Sequence, residues 1–348
     1  MKAWKSVFLI LFLLVAIVSA KEEELNRPLT LTPVGNVVPG KAPLAISVVS
    51  GDNPHVLIGN YRGKRLKSWD LEDITGNITA EGTARVQKGI SDITTTKING
   101  RTYVYTANIA LSDVGALRLD AGTGALSPIG NVSSGGVGPV ALDVAFSGGQ
   151  NFICVANRDS ANLGVFRLDR GGALSPIGST PLPPDPIDLK ATGNQVIVGT
   201  SPGIVALGRV EPNGFVTPLD AENLGQQITA MAVRGNRLAV GTTLGDVWTY
   251  KIGTTSLNFL QRNELGKGFI SDLTFSKKST LFAVGGDPGW LAAYKFPKSG
   301  SLSLRAEFSL TGQSTRTIAT VKGDEKGETF VIMNEFHLNQ TQVFRAKR

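Results

Sequence analysis

The sequence contains one cysteine, Cys154, and two histidines, His55 and His337. A single cysteine excludes an internal disulfide, and so few thiols and imidazoles exclude a typical structural zinc site. Cys154 lies in the apolar run FICVAN, which predicts a buried structural thiol rather than a reactive one. The stability of the protein therefore has to come from a packed core.

Long apolar segments, amphipathic helical periodicity and dense basic runs are also missing. After residue 20 no stretch is long and apolar enough for a membrane helix, so we expect no membrane span. The 35 Lys and Arg residues exceed the 28 Asp and Glu residues, but they are scattered, and nothing predicts a nucleic-acid partner. The densest basic cluster is either a solvated outer face or a patch for an anionic partner; it comprises Arg62, Lys64, Arg65 and Lys67.

The first residues have the pattern of a secretory signal peptide. Lys2 and Lys5 precede an apolar run, and the small-residue site Val18-Ser19-Ala20 follows it. We assign residues 1–20 to this signal and residues 21–28 to a short linker. The signal predicts a secreted, extracellular protein, and we expect that protein to be a monomer. Three sequons could accept N-linked glycans, at Asn77, Asn131 and Asn339.

An internal repeat organises the rest of the chain. The phrase ALRLDAGTGALSPIG, from Ala116, returns as VFRLDRGGALSPIG, from Val165. Related phrases recur seven times at a period of roughly 45 residues, which is typical of propellers and solenoids. Three further short strands, bounded by Gly, Asn, Asp or Pro, fit between successive copies.

Seven units of four strands predict an all-β, seven-bladed β-propeller over residues 29–348. The last unit ends after its third strand, at Arg345, while the chain begins with an unpaired fourth strand from Leu29 to Gly35. We therefore expect the N-terminal strand to complete the last blade and close the ring.

The segment FICVANRDSANLGVFRLDRGGALSPIG resembles the lactonase-type propellers, also described as having YVTN repeats. The resemblance extends over nearly all the repeats. It implies a propeller fold and a family that includes sugar-lactone hydrolases, muconate-cyclising enzymes and secreted surface proteins. Enzymes of the phosphogluconolactonase and muconate-cyclase type carry an Arg-His pair before a hydrophobic-Ala-Phe-Ser motif. Here Asp143 stands at the histidine position of GPVALDVAFSGG, and no arginine precedes it, so the catalytic residues of the family are not carried over.

Acidic residues recur on the predicted inner strands, which should line the mouth of a central channel. The aligned ring reads Ser47, Asp92, Asp143, Asp188, Ala230, Asp272 and Thr317. Its four aspartates could ligate a hard cation such as calcium, or they could accept backbone N–H bonds at blade junctions. A second layer of candidate ligand-binding residues follows at the ends of the second strands: Asn60, Asn108, Asn157, Arg158 and Asn334.

The seventh unit departs most from the repeat. Arg316 on its inner strand, followed by Glu335 and His337, suggests a candidate catalytic group in which a carboxylate and an imidazole act as acid and base beside a guanidinium. The alternative is that His337 is an exposed residue beside the sequon at Asn339.

Three functional hypotheses follow. The first is a ligand-binding or interaction module that takes a small molecule, a glycan or a protein at an acidic channel mouth. The second is a lactonase or other hydrolase with an altered site that uses a cation or the Arg316 group. The third is an extracellular matrix or adhesive glycoprotein. Whether the protein is an enzyme is left open, and calcium is the one cofactor under consideration.

Overall fold

The computed structural model describes residues 29–347 except 52, 73–74, 277–279, 287, 311–314 and 324–327. The signal peptide and linker assigned to residues 1–28 lie outside this part of the chain. The described residues form seven four-stranded antiparallel sheets and contain no helix. No helix that could cross a bilayer is therefore present among them.

Each sheet is one blade, with consecutive strands as neighbours. The first three blades comprise β2 (Pro43–Val49), β3 (His55–Asn60), β4 (Arg65–Leu71) and β5 (Ile78–Arg85); β6 (Ile90–Ile98), β7 (Arg101–Asn108), β8 (Asp113–Leu119) and β9 (Leu126–Ser133); and β10 (Pro139–Ser147), β11 (Gln150–Asn157), β12 (Asn162–Leu168) and β13 (Leu174–Pro181).

Blades 4 to 6 repeat this order. They comprise β14 (Pro186–Thr192), β15 (Gln195–Thr200), β16 (Ile204–Val210) and β17 (Val216–Asn223); β18 (Ile228–Arg234), β19 (Arg237–Thr242), β20 (Asp246–Ile252) and β21 (Leu257–Glu264); and β22 (Ile270–Phe275), β23 (Thr280–Gly285), β24 (Trp290–Lys295) and β25 (Ser303–Ser309).

Blade 7 combines the two ends of the described chain. Its strands are β26 (Thr315–Lys322), β27 (Thr329–Glu335), β28 (Gln340–Lys347) and, on the outside, β1 (Thr30–Val37). β1 pairs with β28 in a register that runs from Thr30 opposite Lys347 to Val37 opposite Thr341. The expected seven-bladed fold, closed by the N-terminal strand, is confirmed.

The core consists of apolar layers between neighbouring blades rather than one central cluster. The layer between blades 3 and 4 contains Cys154, which is fully buried and unpaired, as the sequence predicts. Burial raises the pKa of this thiol and disfavours the reactive thiolate. The layer between blades 7 and 1 contains Val56, Trp69 and Phe330, so the closing junction is packed like the others.

The turns inside the two copies of the repeated phrase, in blades 2 and 3, each accept a side-chain contact from the preceding blade. The turn of blade 2 places the Ala121 carbonyl 3.0 Å from Nε2 of His55 in blade 1. In the same way, the Tyr105 hydroxyl donates to the Gly172 carbonyl at 3.0 Å. His55 is buried, and its Nδ1 lies 2.8 Å from a Glu81 carboxylate oxygen. These contacts give His55 a structural role far from the channel mouth.

Candidate functional site

A β-bulge after the first residue of every inner strand sets which side chains line the channel. In each case the ladder to the second strand shifts register there, as between Pro139 and Ala141 in blade 3. The bulge-aligned ring is Ala45, Asp92, Ala141, Asp188, Ala230, Asp272 and Thr317. The sequence alignment of Ser47 and Asp143 with this ring was wrong, because both lie two residues further along their strands.

The four aspartates join neighbouring blades. One oxygen of each accepts the N–H of the next residue in its own strand at 2.8 Å. The other accepts a backbone N–H of the following blade. These second bonds are Leu142 to Asp92 at 3.0 Å, Ala191 to Asp143 at 2.8 Å, Met231 to Asp188 at 2.7 Å and Ile318 to Asp272 at 2.8 Å. Asp143 makes the same pattern as the others, two residues deeper.

This geometry supports the structural interpretation of the repeated aspartates over the calcium interpretation. Both oxygens of each carboxylate already accept a backbone N–H bond, so the recurrence of the aspartates is explained by the joining of neighbouring blades and needs no cation. Within the described residues, the one group of three ligating side chains with atoms inside 4.8 Å of one another is instead His55, Asp70 and Glu81, at the other end of blade 1.

Replacing Asp143 with Ala tests the two interpretations directly. We expect the free energy of unfolding to fall by about 2 kcal/mol, because the N–H groups of Val144 and Ala191 lose a charged acceptor. Urea unfolding measures the loss. Millimolar calcium should leave the melting temperature of the native protein unchanged, since an ion that binds only the folded state would raise it. A calcium-dependent rise that Asp143→Ala abolishes would restore the metal site.

Lys190 is the channel residue that sequence reasoning missed. It lies two residues after Asp188 on β14, so both side chains face the channel, and its Nζ lies 2.7 Å from Asp188 Oδ1. Although burial opposes protonation, the carboxylates of Asp188, Asp92 and Asp272 hold the pKa of Lys190 above its usual range. The period of two along the inner strand was the signal that could have identified it.

Two of the aspartates are poised to change charge near neutrality. Burial raises the pKa of Asp92 to about 7 and that of Asp272 to about 7, and the Lys190 charge counteracts part of this effect. Burial also raises the pKa of Asp143, against the hydrogen bonds that it accepts. The channel therefore carries less negative charge at pH 7 than its composition indicates.

The mouth of the channel forms a cavity of about 640 Å³. Two aromatic residues, Tyr61 and Phe336, line this cavity. Three carboxyl groups and three cations line it as well: Asp92, Asp188, Asp272, Arg158, Lys190 and Arg316. Arg158 and Arg316 are exposed. The expectation of an acidic mouth needs correction, because the cations match the carboxyl groups in number and two of those carboxyl groups titrate near pH 7.

The predicted ligand-binding residues divide into two kinds. Arg158 lines the cavity, and its Nε lies 3.2 Å from an Asp159 oxygen. The asparagines are buried and bound within the fold. Asn157 Nδ2 donates to the Ser134 carbonyl at 3.1 Å, and Asn108 Nδ2 to Asp113 at 2.7 Å.

The two remaining asparagines are also engaged. Asn60 Nδ2 donates to the Pro39 carbonyl at 3.4 Å. Asn334 Nδ2 donates to the Ala45 carbonyl at 3.3 Å, and this bond joins blade 7 to blade 1. None of the four asparagines lines the channel mouth.

The candidate catalytic group is spread over different environments. Of its three members, Arg316 lines the mouth. Glu335 is fully buried, and its Oε1 accepts a bond from the Thr315 hydroxyl at 2.9 Å. His337 is exposed on the following turn, and its ring lies beside that of Phe336, with 5.3 Å between centroids. Catalysis by this group stays a prediction.

The three sequons lie on turns and outer strands. Asn77 and Asn131 are exposed. Asn339 is half-buried, and its side-chain oxygen accepts the Ala42 N–H at 2.7 Å. Glycosylation at these positions also stays a prediction.

Comparison with known proteins shows which propellers this chain resembles. Residues 65–191 match the family model described as "Lactonase, 7-bladed beta-propeller". The chain is a seven-bladed β-propeller that resembles the lactonase family over this segment. The expected resemblance is thereby confirmed. A search of curated proteins finds no match to its sequence.

Three solved structures share the fold of this lactonase-like propeller at low identity. A putative 6-phosphogluconolactonase from Bacteroides fragilis has a TM-score of 0.65 at 16% identity, over 88% of this chain and 90% of that one. A putative 6-phosphogluconolactonase from Bacteroides uniformis has a TM-score of 0.68 at 17% identity, over 81% of this chain and 91% of that one. The periplasmic gluconolactonase PpgL of Pseudomonas aeruginosa has a TM-score of 0.64 at 18% identity, over 77% of this chain and 85% of that one. At these identities the likeness shows the fold alone.

Proposed function

We propose that this lactonase-like propeller is secreted and binds a small, hydroxylated anion of the sugar-acid type at the mouth of its channel. The observation that carries the proposal is the set of three cations, Arg158, Lys190 and Arg316, around one cavity of about 640 Å³. That volume is in the range of small-molecule sites. The signal-peptide pattern of residues 1–20 supports secretion.

The mouth chemistry suits such a ligand in two ways. A guanidinium offers paired N–H donors to a carboxylate or phosphate, and Arg158 and Arg316 are both exposed toward the cavity. Asp92 and Asp272, with pKa values of about 7, present both protonated and ionised carboxyl groups near neutrality. Protonated carboxyls donate to ligand hydroxyls, and ionised ones accept from them.

Gluconate is the first probe, with glucose as its uncharged counterpart. By isothermal titration calorimetry we expect gluconate to bind and glucose to bind at least about tenfold more weakly, because it lacks the charge-assisted bonds. Arg158→Gln and Arg316→Gln should each weaken gluconate binding about tenfold. Arg118→Gln removes an exposed arginine of β8 outside the mouth and serves as the matched control. Equal binding of glucose, or an equal loss in the control, would contradict the proposal.

Lactone hydrolysis is the second candidate function. It is favoured by Asp92 and Asp272, whose pKa values are about 7, because a general base that works at neutral pH should titrate in this range. The solved structures named as gluconolactonases make gluconolactone the first substrate to try. Hydrolysis above the spontaneous rate, lost in Asp272→Asn, would assign catalysis to the mouth. Loss in Glu335→Gln and His337→Ala would assign it to the seventh blade. Binding without hydrolysis would leave a binding module.

A further inference from the structure

A second basic site lies at the junction where the ring closes. A groove of about 900 Å³ runs over blade 1 and the connection from β1 to β2, and its lining contains six cations and no acidic residue. The cations are Lys41, Arg62, Lys64, Arg65, Lys67 and Arg85. The structure joins the cluster that the sequence singled out to Lys41 and Arg85, which are distant from it along the chain.

The groove faces the last blade. Along β4, Arg65 and Lys67 share a face with Trp69, which packs in the layer between blades 7 and 1. Lys41 approaches from the connection that leaves blade 7, and Arg85 from the end of β5. The residues that line the site therefore all belong to blade 1 and to the connection that leads into it from blade 7.

The positive charge in the groove is not neutralised within the described part of the chain. None of the six cations makes an ion pair with a described carboxylate, and Lys67 instead lies over the Trp69 ring, 5.5 Å from its centroid. Arg65 and Arg85 are direct partners in the β4–β5 ladder. Like charges in that position destabilise a sheet, so an anion placed between them would relieve a repulsion built into the fold.

The cationic surface continues toward the channel. The Arg62 guanidinium lies 6.0 Å from the centroid of the Phe336 ring, and Arg316 lies 5.9 Å from the same ring. Phe336 and Arg316 line the channel mouth. Cations thus follow one another from the outer groove to the centre of the propeller, an arrangement that fits an extended ligand better than a compact one.

We propose that this groove binds a linear acidic polysaccharide through the carboxylate or sulfate groups along its chain. A concave surface does not fit a flat bilayer. Grooves for single-stranded nucleic acids add aromatic platforms on which bases stack, and no aromatic side chain lines this groove. A hydroxylated, repeatedly charged chain satisfies the donors without needing such platforms. The proposal does not depend on the ligand proposed for the channel mouth.

The test compares two double variants of equal charge. Arg65→Gln/Arg85→Gln removes the opposed pair in the groove, and Arg118→Gln/Arg167→Gln removes two exposed arginines from the third strands of blades 2 and 3. With polygalacturonate as the probe, we expect the groove variant to lose at least about tenfold in affinity and the control to change less than about twofold. Binding should weaken as salt is raised, because the contacts are exposed.

Additional probes separate the possible outcomes. Dextran sulfate in place of polygalacturonate decides between sulfate and carboxylate groups. Preference for an oligonucleotide over both, equal losses in the two double variants, or no binding to either polysaccharide would overturn the proposal. The melting temperature of the free groove variant should equal or exceed that of the native protein, so lost binding is separable from lost folding. Gluconate binding should survive in the groove variant, which distinguishes this site from the mouth.

Discussion

Replacement of Lys190 with Met is expected to lower the free energy of unfolding by about 3 kcal/mol at pH 7, since removing one partner of a buried charge pair leaves the other uncompensated. The Lys190 ammonium lies 2.7 Å from Asp188 and interacts favourably with Asp92 and Asp272 as well. Because 29% of the Lys190 side chain is exposed, water screens part of the loss. We therefore expect the low end of the range for buried pairs.

The effect should depend on pH with a definite sign. Asp92 and Asp272 have folded-state pKa values of about 7, above the ordinary value of 3.8. Such groups contribute stability that is complete below the unfolded pKa and is lost as the pH rises through the folded one. The native protein should thus lose stability between about pH 4 and pH 7. Without Lys190 the folded pKa values rise further, so the decline of the variant should extend above pH 7.

Urea unfolding at about pH 5 and pH 8 measures both effects. The difference between the native protein and Lys190→Met should be larger at pH 8, where more carboxylates are ionised. Lys190→Arg keeps the charge and should lose less. Lys251→Met changes an exposed lysine of β20 and should have little effect at either pH. A pH-independent loss in Lys190→Met would assign the role of this residue to packing rather than to charge.

The architecture was predictable because it depends on repetition. A phrase that returns at a near-constant period predicts a blade regardless of local strand propensity, and a missing fourth strand predicts closure. The observed closing strand, Thr30–Val37, begins one residue and ends two residues later than the predicted strand from Leu29 to Gly35. The burial of Cys154 followed from an apolar strand in the same way.

The site was less predictable because it depends on register and on contacts between blades. Asp143 lies two residues deeper than Asp92 because it is the fourth residue after the start of its strand at Pro139, whereas Asp92 is the second after Ile90. The bulge that fixes this register is not marked in the sequence. Lys190 was overlooked because its role arises from carboxylates on three different blades. The Arg65 and Arg85 pair was likewise hidden, since it depends on strand pairing rather than on proximity in sequence.

Deletion of the closing strand is expected to have the largest effect of all. A chain that starts at Val38 lacks β1, whose register with β28 covers seven residue pairs, and it lacks the buried side chain of Leu31. At about 1 kcal/mol for each net backbone hydrogen bond and about 2 kcal/mol for Leu31, the loss is more than about 5 kcal/mol, which approaches the whole stability of a typical domain. A chain that starts at Leu29 keeps β1 and is the matched control.

Thermal unfolding and size-exclusion chromatography should show the control as a cooperative monomer. The shorter chain should aggregate, because β28 becomes an uncovered edge strand. A synthetic peptide of residues 29–37 should restore the cooperative transition by adding the missing strand in trans. This is expected because β1 pairs with β28, which lies at the other end of the described chain, and not with a strand next to it in sequence. Pro33 sits at the bulge of this ladder, where its missing N–H is tolerated, so the peptide needs no change there.

The same peptide with Leu31→Asp should fail to rescue, because its side chain would place a charge in the layer formed by Leu291, Val331 and Phe344. Rescue by the native peptide alone would show that β1 closes the ring through both its ladder and its apolar contact. A chain starting at Val38 that melted at the temperature of the control would show instead that the layers between blades hold the propeller closed without its outermost strand.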